Sequence, residues 1–353
     1  MLVKSRQALA IFLTLLASVM SSVASAQSIR EGPVREEVCY PSDPGTVIAG
    51  TLEKPTSADD RGLPVVVIIS GTGPSTRGGW EKMRASLHAA GLATLVYDKR
   101  GLGQSTGTFV DTIPAMQRDV AAAVAFLRTR QDIDHQRIAL MGISQGAVAA
   151  PLVAAADPAI AAVVMLSGPV GPRGELFLGI LRGHLKNAGK TSVQIDQVAA
   201  AVSAWMDARS RVVDASETAN LRKAAVDAFA EVGFPHDQAE NFVTALDDDV
   251  VLSMFDVAPD RALEKLRMPT LAIYGSKDDV IAPYLSLEAA TAALQGNPDA
   301  IVVVVPDMTH ELQRATPATS TATAPEDGTM SVVTELVGIW LAQRLVRLPD
   351  GPE

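Results

Sequence analysis

Three side chains that together could activate a hydroxyl stand far apart in this chain of 353 residues, each shortly after an apolar run. Ser144 is the first, within Gly142-Ile143-Ser144-Gln145-Gly146. A serine hydroxyl is a weak nucleophile at neutral pH and needs a base, ordinarily a histidine whose tautomer is fixed by a carboxylate. The chain has five histidines. His88 falls in a helical pattern, His135 in a polar turn ahead of a strand, and His184 and His236 in a long helical stretch. His310, in Val305-Pro306-Asp307-Met308-Thr309-His310, is the one that follows the carboxyl end of a strand. Its plainer alternative is a partly exposed loop histidine. Asp278, in Gly275-Ser276-Lys277-Asp278-Asp279, follows the preceding strand, so the order along the chain is serine, acid, histidine. Asp279 is its rival for the acid, and both could be simple turn formers.

Acyl transfer from a serine also needs N–H donors aimed at the oxyanion of the tetrahedral intermediate. The residue after the nucleophile, Gln145, supplies one candidate, and Thr72 in Ser70-Gly71-Thr72-Gly73-Pro74 the other. A phosphate-gripping glycine loop is the competing reading of that segment, but no helix start with a lysine at phosphate-loop spacing follows it. Other chemistries fit poorly. His310-Glu311 lacks the second histidine of a zinc helix motif, and no serine has a lysine three residues on. Neither a metal nor a cofactor is expected.

These residues have to be held by strands and turns, and the sequence supplies them. Arg137 to Met141 reads as a buried strand ahead of Ser144, and a small-residue helix runs behind it to about Ala156, stopped by Asp157-Pro158. Glycine makes up roughly 7% of ordinary sequence, so a bare G-x-S-x-G arises by chance in about one chain in ten of this length. Its setting between strand and helix is what gives the pattern weight. Upstream, Val34 to Tyr40 and Thr46 to Leu52 form a hairpin pattern, and Pro64 to Ile69 is a β-branched run suited to a strand covered on both faces. A helix near Trp80 to Ala90, a strand Ala93 to Tyr97, a helix near Ile113 to Thr129 and a strand Ala161 to Leu166 continue the alternation. The alternation resumes with a strand Pro269 to Tyr274, a helix Pro283 to Leu294 and a strand Ala300 to Val305. After a Thr/Ala/Pro-rich stretch, Thr316 to Gly328, comes a closing helix Ser331 to Leu345. Strand and helix in turn imply a mostly parallel sheet with helices on both faces, its site at the strands' carboxyl ends.

Between residues 173 and 262 the alternation stops and the pattern becomes helical. Thr191-Ser192-Val193-Gln194 reads as a capping box, and Ile195, Val198, Val202 and Trp205 recur on one helical face. Helical stretches Glu217 to Val232 and Asp237 to Leu246 follow. The expectation is a helical lid whose apolar stripe partly roofs the pocket beside Ser144. An ordinary helical subdomain away from the site is the alternative.

The chain is 48% hydrophobic and 20% charged, enough for one large core with a subdomain. Lys4 and Arg6, an apolar run from Ala8 to Val19 and then Val23-Ala24-Ser25-Ala26 have the layout of a signal peptide over residues 1–26. Export to the periplasm or medium is therefore expected, with no membrane attachment after cleavage. The organisation expected is signal 1–26, core 27–172, helical lid 173–262 and core 263–353. Cys39, the single cysteine, offers no disulfide and is expected to be a small buried hydrophobe. A net charge of −10 argues against nucleic acid or an anionic membrane and leaves a small molecule as partner.

Taken together these segments resemble the α/β-hydrolase superfamily, and within it the exported esterase and serine-aminopeptidase-like group related to dienelactone hydrolases. Ser70 to Pro74 resembles that group's oxyanion loop, with Ser70 where many members carry histidine. Tyr97-Asp98-Lys99-Arg100-Gly101-Leu102-Gly103-Gln104-Ser105-Thr106-Gly107 resembles the loop after its fourth strand, and Gly142 to Gly146, Gly275 to Asp278 and His310 resemble its elbow, acid and histidine. The resemblance implies an eight-stranded, mostly parallel α/β-hydrolase sheet with an inserted helical lid. It also implies a serine hydrolase acting through Ser144, Asp278 and His310, with a carboxylic ester as the expected substrate. Amide cleavage by the same residues, as in a peptidase or aminopeptidase, is the alternative among enzymes. A binding protein that keeps the fold is the alternative outside them. The cysteine nucleophile of true dienelactone hydrolases is absent.

Overall fold

Eight strands form one sheet in the order β1-β2-β4-β3-β5-β6-β7-β8, and β2 runs against the rest, antiparallel to both of its neighbours. The structure is a computed structural model and describes residues 32–56, 62–211, 214–281, 283–315 and 331–346. The expected signal segment, residues 1–26, and the stretch Thr316 to Gly328 lie outside the described residues. β1 (Val34–Pro41) and β2 (Val47–Lys54) make the expected hairpin, and β2 joins β4 (Ala93–Tyr97) antiparallel. From there β3 (Leu63–Ile69), β5 (Ile133–Ile143), β6 (Ala162–Leu166), β7 (Thr270–Gly275) and β8 (Ala300–Val305) pair in parallel. β5 begins earlier than its apolar run suggested, and His135 is an exposed residue of that strand rather than of a turn before it.

The central strands are apolar at successive positions because both sides of the sheet are covered. Val65, Val67, Ile69, Leu140 and Met165 face one layer, with α2 (Ile113–Leu127), α3 (Gln145–Ala156) and α10 (Pro283–Ala293). Their neighbours Val66, Ile68, Met141, Val164 and Leu166 face the other, with α1 (Glu81–Ala89) and α11 (Ser331–Leu345). Each such side chain contributes about 1.5–3 kcal/mol by leaving water. A charge at Val67, 0% exposed in mid-sheet, would therefore break the layer around it.

Two expectations fail at the edges. Trp80 lies outside the helix; it caps α1 with φ of 62°, so the chain turns sharply before Glu81. Cys39 is exposed, because β1 is an edge strand on which Val38 and Tyr40 take the inward positions and residue 39 points out.

Between β6 and β7 come six helices: α4 (Glu175–Asn187), α5 (Ser192–Ser210), α6 (Ala215–Glu231), α7 (His236–Leu246), α8 (Asp249–Phe255) and α9 (Pro259–Leu263). The capping box is formed, with Thr191 and Gln194 bonding reciprocally at the start of α5. The stripe on α5 does not serve as a roof. Val198, Val202 and Trp205 are at most 1% exposed and pack with Ala225, Phe229, Val243 and Phe255 into a core belonging to the insertion itself. An apolar helical face finds water-free partners wherever the tertiary structure offers them, and here α6 and α7 are nearer partners than the sheet.

Candidate active site

Ser144 occupies the turn between β5 and α3 with φ of 53° and ψ of −120°, a conformation that side chains avoid unless the surroundings enforce it. The turn is enforced by close backbone approach. A Cβ on Gly142 would lie 2.1 Å from Gly146 O, and one on Gly146 would lie 2.3 Å from Ile69 O. Both elbow glycines are thus required by space. Ser144 N–H donates to Leu166 O at 2.9 Å, tying the turn to β6. The residue is half-buried, and its hydroxyl makes no hydrogen bond among the described residues.

His310 and Asp278 are joined. His310 Nδ1 bonds Asp278 Oδ2 at 2.8 Å, with the histidine 8% exposed and the carboxylate at 0%. The other carboxylate oxygen, Oδ1, accepts the N–H groups of Val280 at 3.0 Å and Ile281 at 2.8 Å, which fixes the acid's orientation. Asp279 is exposed and makes no side-chain bond among the described residues. The two loops are zipped together: Lys277 N–H donates to Met308 O at 2.8 Å, and Asp307 N–H to Ser276 Oγ at 2.9 Å. His310 stands at the tip of a small bridge between Met308 and Arg314, where positive φ at Asp307 and Leu312 reverses the chain. Gly275 is obligatory here, since a Cβ would lie 2.3 Å from both Met308 O and Thr309 O.

The Ser70–Pro74 loop runs directly beside the elbow: a Cβ on Gly71 would lie 3.2 Å from the Cβ of Ser144. Gly73 N–H is occupied by Asp111 Oδ2 at 2.6 Å, whereas Thr72 N–H has no partner among the described residues. Gln145 N–H opens α3, where helix geometry leaves the first amides unbonded. Its side chain is 1% exposed and donates to Asp111 O at 2.7 Å. The geometry therefore leaves both candidate oxyanion donors free beside the elbow.

The loop from Asp98 to Arg100 hides three charged residues that sequence reasoning treated only as part of a resemblance. Asp98 receives Arg77 N–H and Gln104 N–H, both at 2.8 Å. Arg100 forks onto Asp119 at 2.9 and 2.7 Å and reaches Asp43 at 2.7 Å. Lys99 is 7% exposed and donates to Gly71 O, Gly73 O and Asp111 Oδ1 at 2.5, 2.9 and 2.5 Å. Burial pulls the Lys99 pKa below its usual value, and the hydrogen bond to Asp111 works against that shift. Asp111 and Asp119, two acids placed ahead of and within an apolar helix, were the available signal that this loop's cations are paired.

Among the described residues no three His, Cys, Asp or Glu side chains converge as a metal site would need. The acids of the insertion are partly engaged elsewhere: Glu240 pairs with Arg222, Asp247 with Arg209, and Asp248 caps α8.

A family model described as "Serine aminopeptidase, S33" matches residues 63–316. The chain is 36% identical over 131 residues to the thiohydrolase apmlB of Arthrinium phaeospermum. That stretch is 36% of this chain, and the chain spans only 41% of that relative's length. Among solved structures, the esterase Pf2001 of Pyrococcus furiosus is similar with a TM-score of 0.54 and 15% identity, over 89% of this chain and 93% of that one. Est1E of Butyrivibrio proteoclasticus, solved with ferulic acid, gives a TM-score of 0.54 and 19% identity over 88% and 100%. At such identities these two structures bear on the fold.

Proposed function

The chain belongs to the serine aminopeptidase S33 family of α/β-hydrolases, and from that premise we propose that it cleaves small carboxylic esters through an acyl-enzyme on Ser144. The observation that carries this reading is the 2.8 Å bond between His310 Nδ1 and a fully enclosed Asp278 carboxylate. Bonded in this way, the imidazole leaves Nε2 as the acceptor. Nε2 takes the Ser144 proton as Oγ attacks the ester carbonyl, and the negative oxygen is met by Thr72 N–H and Gln145 N–H. The alcohol leaves with the proton from His310. Water, deprotonated by the same imidazole, then attacks the acyl-enzyme and releases the acid. Asp278 stabilises the imidazolium in both steps.

An aminopeptidase needs a free carboxylate beside the site to hold the substrate ammonium, and most of the insertion's candidates for it are occupied. In the insertion Glu240, Asp247 and Asp248 are engaged, which leaves the exposed Asp237 and Asp249 as the carboxylates without a side-chain partner among the described residues of that run. The family's name and the thiohydrolase relative keep amides and thioesters as the comparison substrates. We further propose that residues 1–26 direct export and are removed, with a small acyl compound as partner and no cofactor. The test is kcat/KM for nitrophenyl esters of rising chain length, an acyl thioester and aminoacyl nitroanilides. Esters are expected to lead. A preference for the anilides, abolished when Asp237 and Asp249 become asparagine, would replace esterase with peptidase.

A further inference from the structure

We propose that Lys99 and Asp111 act as a pair of positioning residues that lock the oxyanion loop, so that Thr72 N–H is held ready for the transition state. This rests on the hydrolase reading above. A lysine ammonium has three N–H donors, and Lys99 uses them on Gly71 O, Gly73 O and Asp111 Oδ1. The other oxygen of Asp111 accepts Gly73 N–H at 2.6 Å. Three consecutive peptide groups, Gly71–Thr72, Thr72–Gly73 and Gly73–Pro74, are therefore each gripped by one ion pair.

The grip has a direction. In a trans peptide the C=O and the next N–H point opposite ways. A cation on Gly71 O therefore aims Thr72 N–H away from Lys99, and Asp111 takes Gly73 N–H out of competition. Gly71 and Gly73 have no side chains to hold this loop, and Gly73 adopts φ of 96°. Such a segment would sample several peptide orientations if the ion pair did not choose one. The backbone of Asp111 also ties this loop to the residue after Ser144, since its carbonyl accepts the Gln145 side chain at 2.7 Å. The pair itself is buried, with Lys99 7% and Asp111 6% exposed. Among the described residues no other side chain donates to the Gly71 and Gly73 carbonyls.

Preorganised donors help the transition state more than the ground state, so loosening them should lower kcat and spare KM. Two variants test this. Lys99→Met removes the cation but strands a buried carboxylate, whereas Lys99→Met with Asp111→Asn leaves no buried charge unpaired. With a nitrophenyl ester, both folded variants should lose about 10²–10³ in kcat, the cost of losing one oxyanion donor. KM should stay within about threefold and the shape of the pH–rate profile should not change. Affinity for a trifluoromethyl ketone, which forms a tetrahedral oxyanion on serine, should fall in proportion to kcat/KM.

A folded double variant with near wild-type kcat overturns the proposal. So does a loss of rate with undiminished trifluoromethyl ketone affinity. Failure of both variants to fold would assign the pair to structure, and overturns it as well. Wild-type protein that turns over no ester strikes the hydrolase reading itself, and is recognised before any variant is made.

Discussion

The sheet's carboxyl edge and the helical insertion are held together by different physics. Beside Ser144 the structure buries charge. Lys99 with Asp111 and Arg100 with Asp119 have side chains at most 8% exposed, and each sits under a loop that carries or borders the site. The insertion keeps its ion pairs in water: Arg209 with Asp247 is 35% and 37% exposed, and Lys223 with Asp227 is 75% and 45%. Exposed pairs contribute about 0–1 kcal/mol, so apolar packing around Trp205 and Phe229 must hold the insertion. Breaking one partner of a buried pair costs about 3–5 kcal/mol, so the buried pairs fix geometry as well as the fold. The core is built to hold a few atoms still. The insertion is a small helical bundle with its own interior, linked to the core at points such as Ile113 N–H on Ser253 Oγ at 3.0 Å.

Substitutions on the two sides should therefore differ in kind. The largest effect is expected at Asp278. Asp278→Asn should lower kcat by about 10⁴, because an amide holds the wrong imidazole tautomer. Asp279→Asn, on an exposed side chain with no partner among the described residues, should stay within about twofold. Steady-state kinetics on the two proteins decide it, and the reverse ranking would move the acid's role to Asp279.

Trp205→Ala probes the other side. Emptying a fully buried indole site should cost about 3–5 kcal/mol. That loss should appear as earlier proteolysis within residues 175–263, while turnover of a short ester by the remaining protein persists. If catalysis on a short ester collapses along with the insertion, the independence of the two regions is wrong.

The smallest effect is expected at His88. Burial is the main cause holding its pKa below the ordinary histidine value of 6.5, with Glu53 opposing. Its neutral form is thus favoured in the folded state, and the unfolded chain binds the proton more readily. The stability it contributes is present above about pH 6.5 and is lost as pH falls below that value. Thermal melts from pH 7.5 to 5 should show a fall that is shallower in His88→Asn, which keeps a polar group near Thr94 Oγ1.

What could be read from the residues follows the same division. Strands such as Val65 to Ile69 announce themselves because burial on two faces demands an unbroken apolar run. Ser144, Asp278 and His310 could be found because each follows such a run, and the structure brings Asp278 and His310 into contact. The stripe Ile195, Val198, Val202 and Trp205 showed that α5 buries a face but not against what. Periodicity encodes the face, whereas the partner depends on how α6 and α7 fold back. Lys99 was hidden for a related reason: a lysine in a glycine-rich turn reads as solvated until its acid, Asp111, is seen across the loop. Cys39 was misplaced because the face of an edge strand is set by its register with β2.

The most direct test of the account is covalent. A fluorophosphonate should add one phosphonyl group to the wild-type protein, and peptide mapping should find it on Ser144 with ester turnover lost in step. Folded Ser144→Ala should take up none and lose hydrolysis by several orders of magnitude. Label on another residue, or undiminished ester turnover by folded Ser144→Ala, would contradict the acyl-enzyme on Ser144.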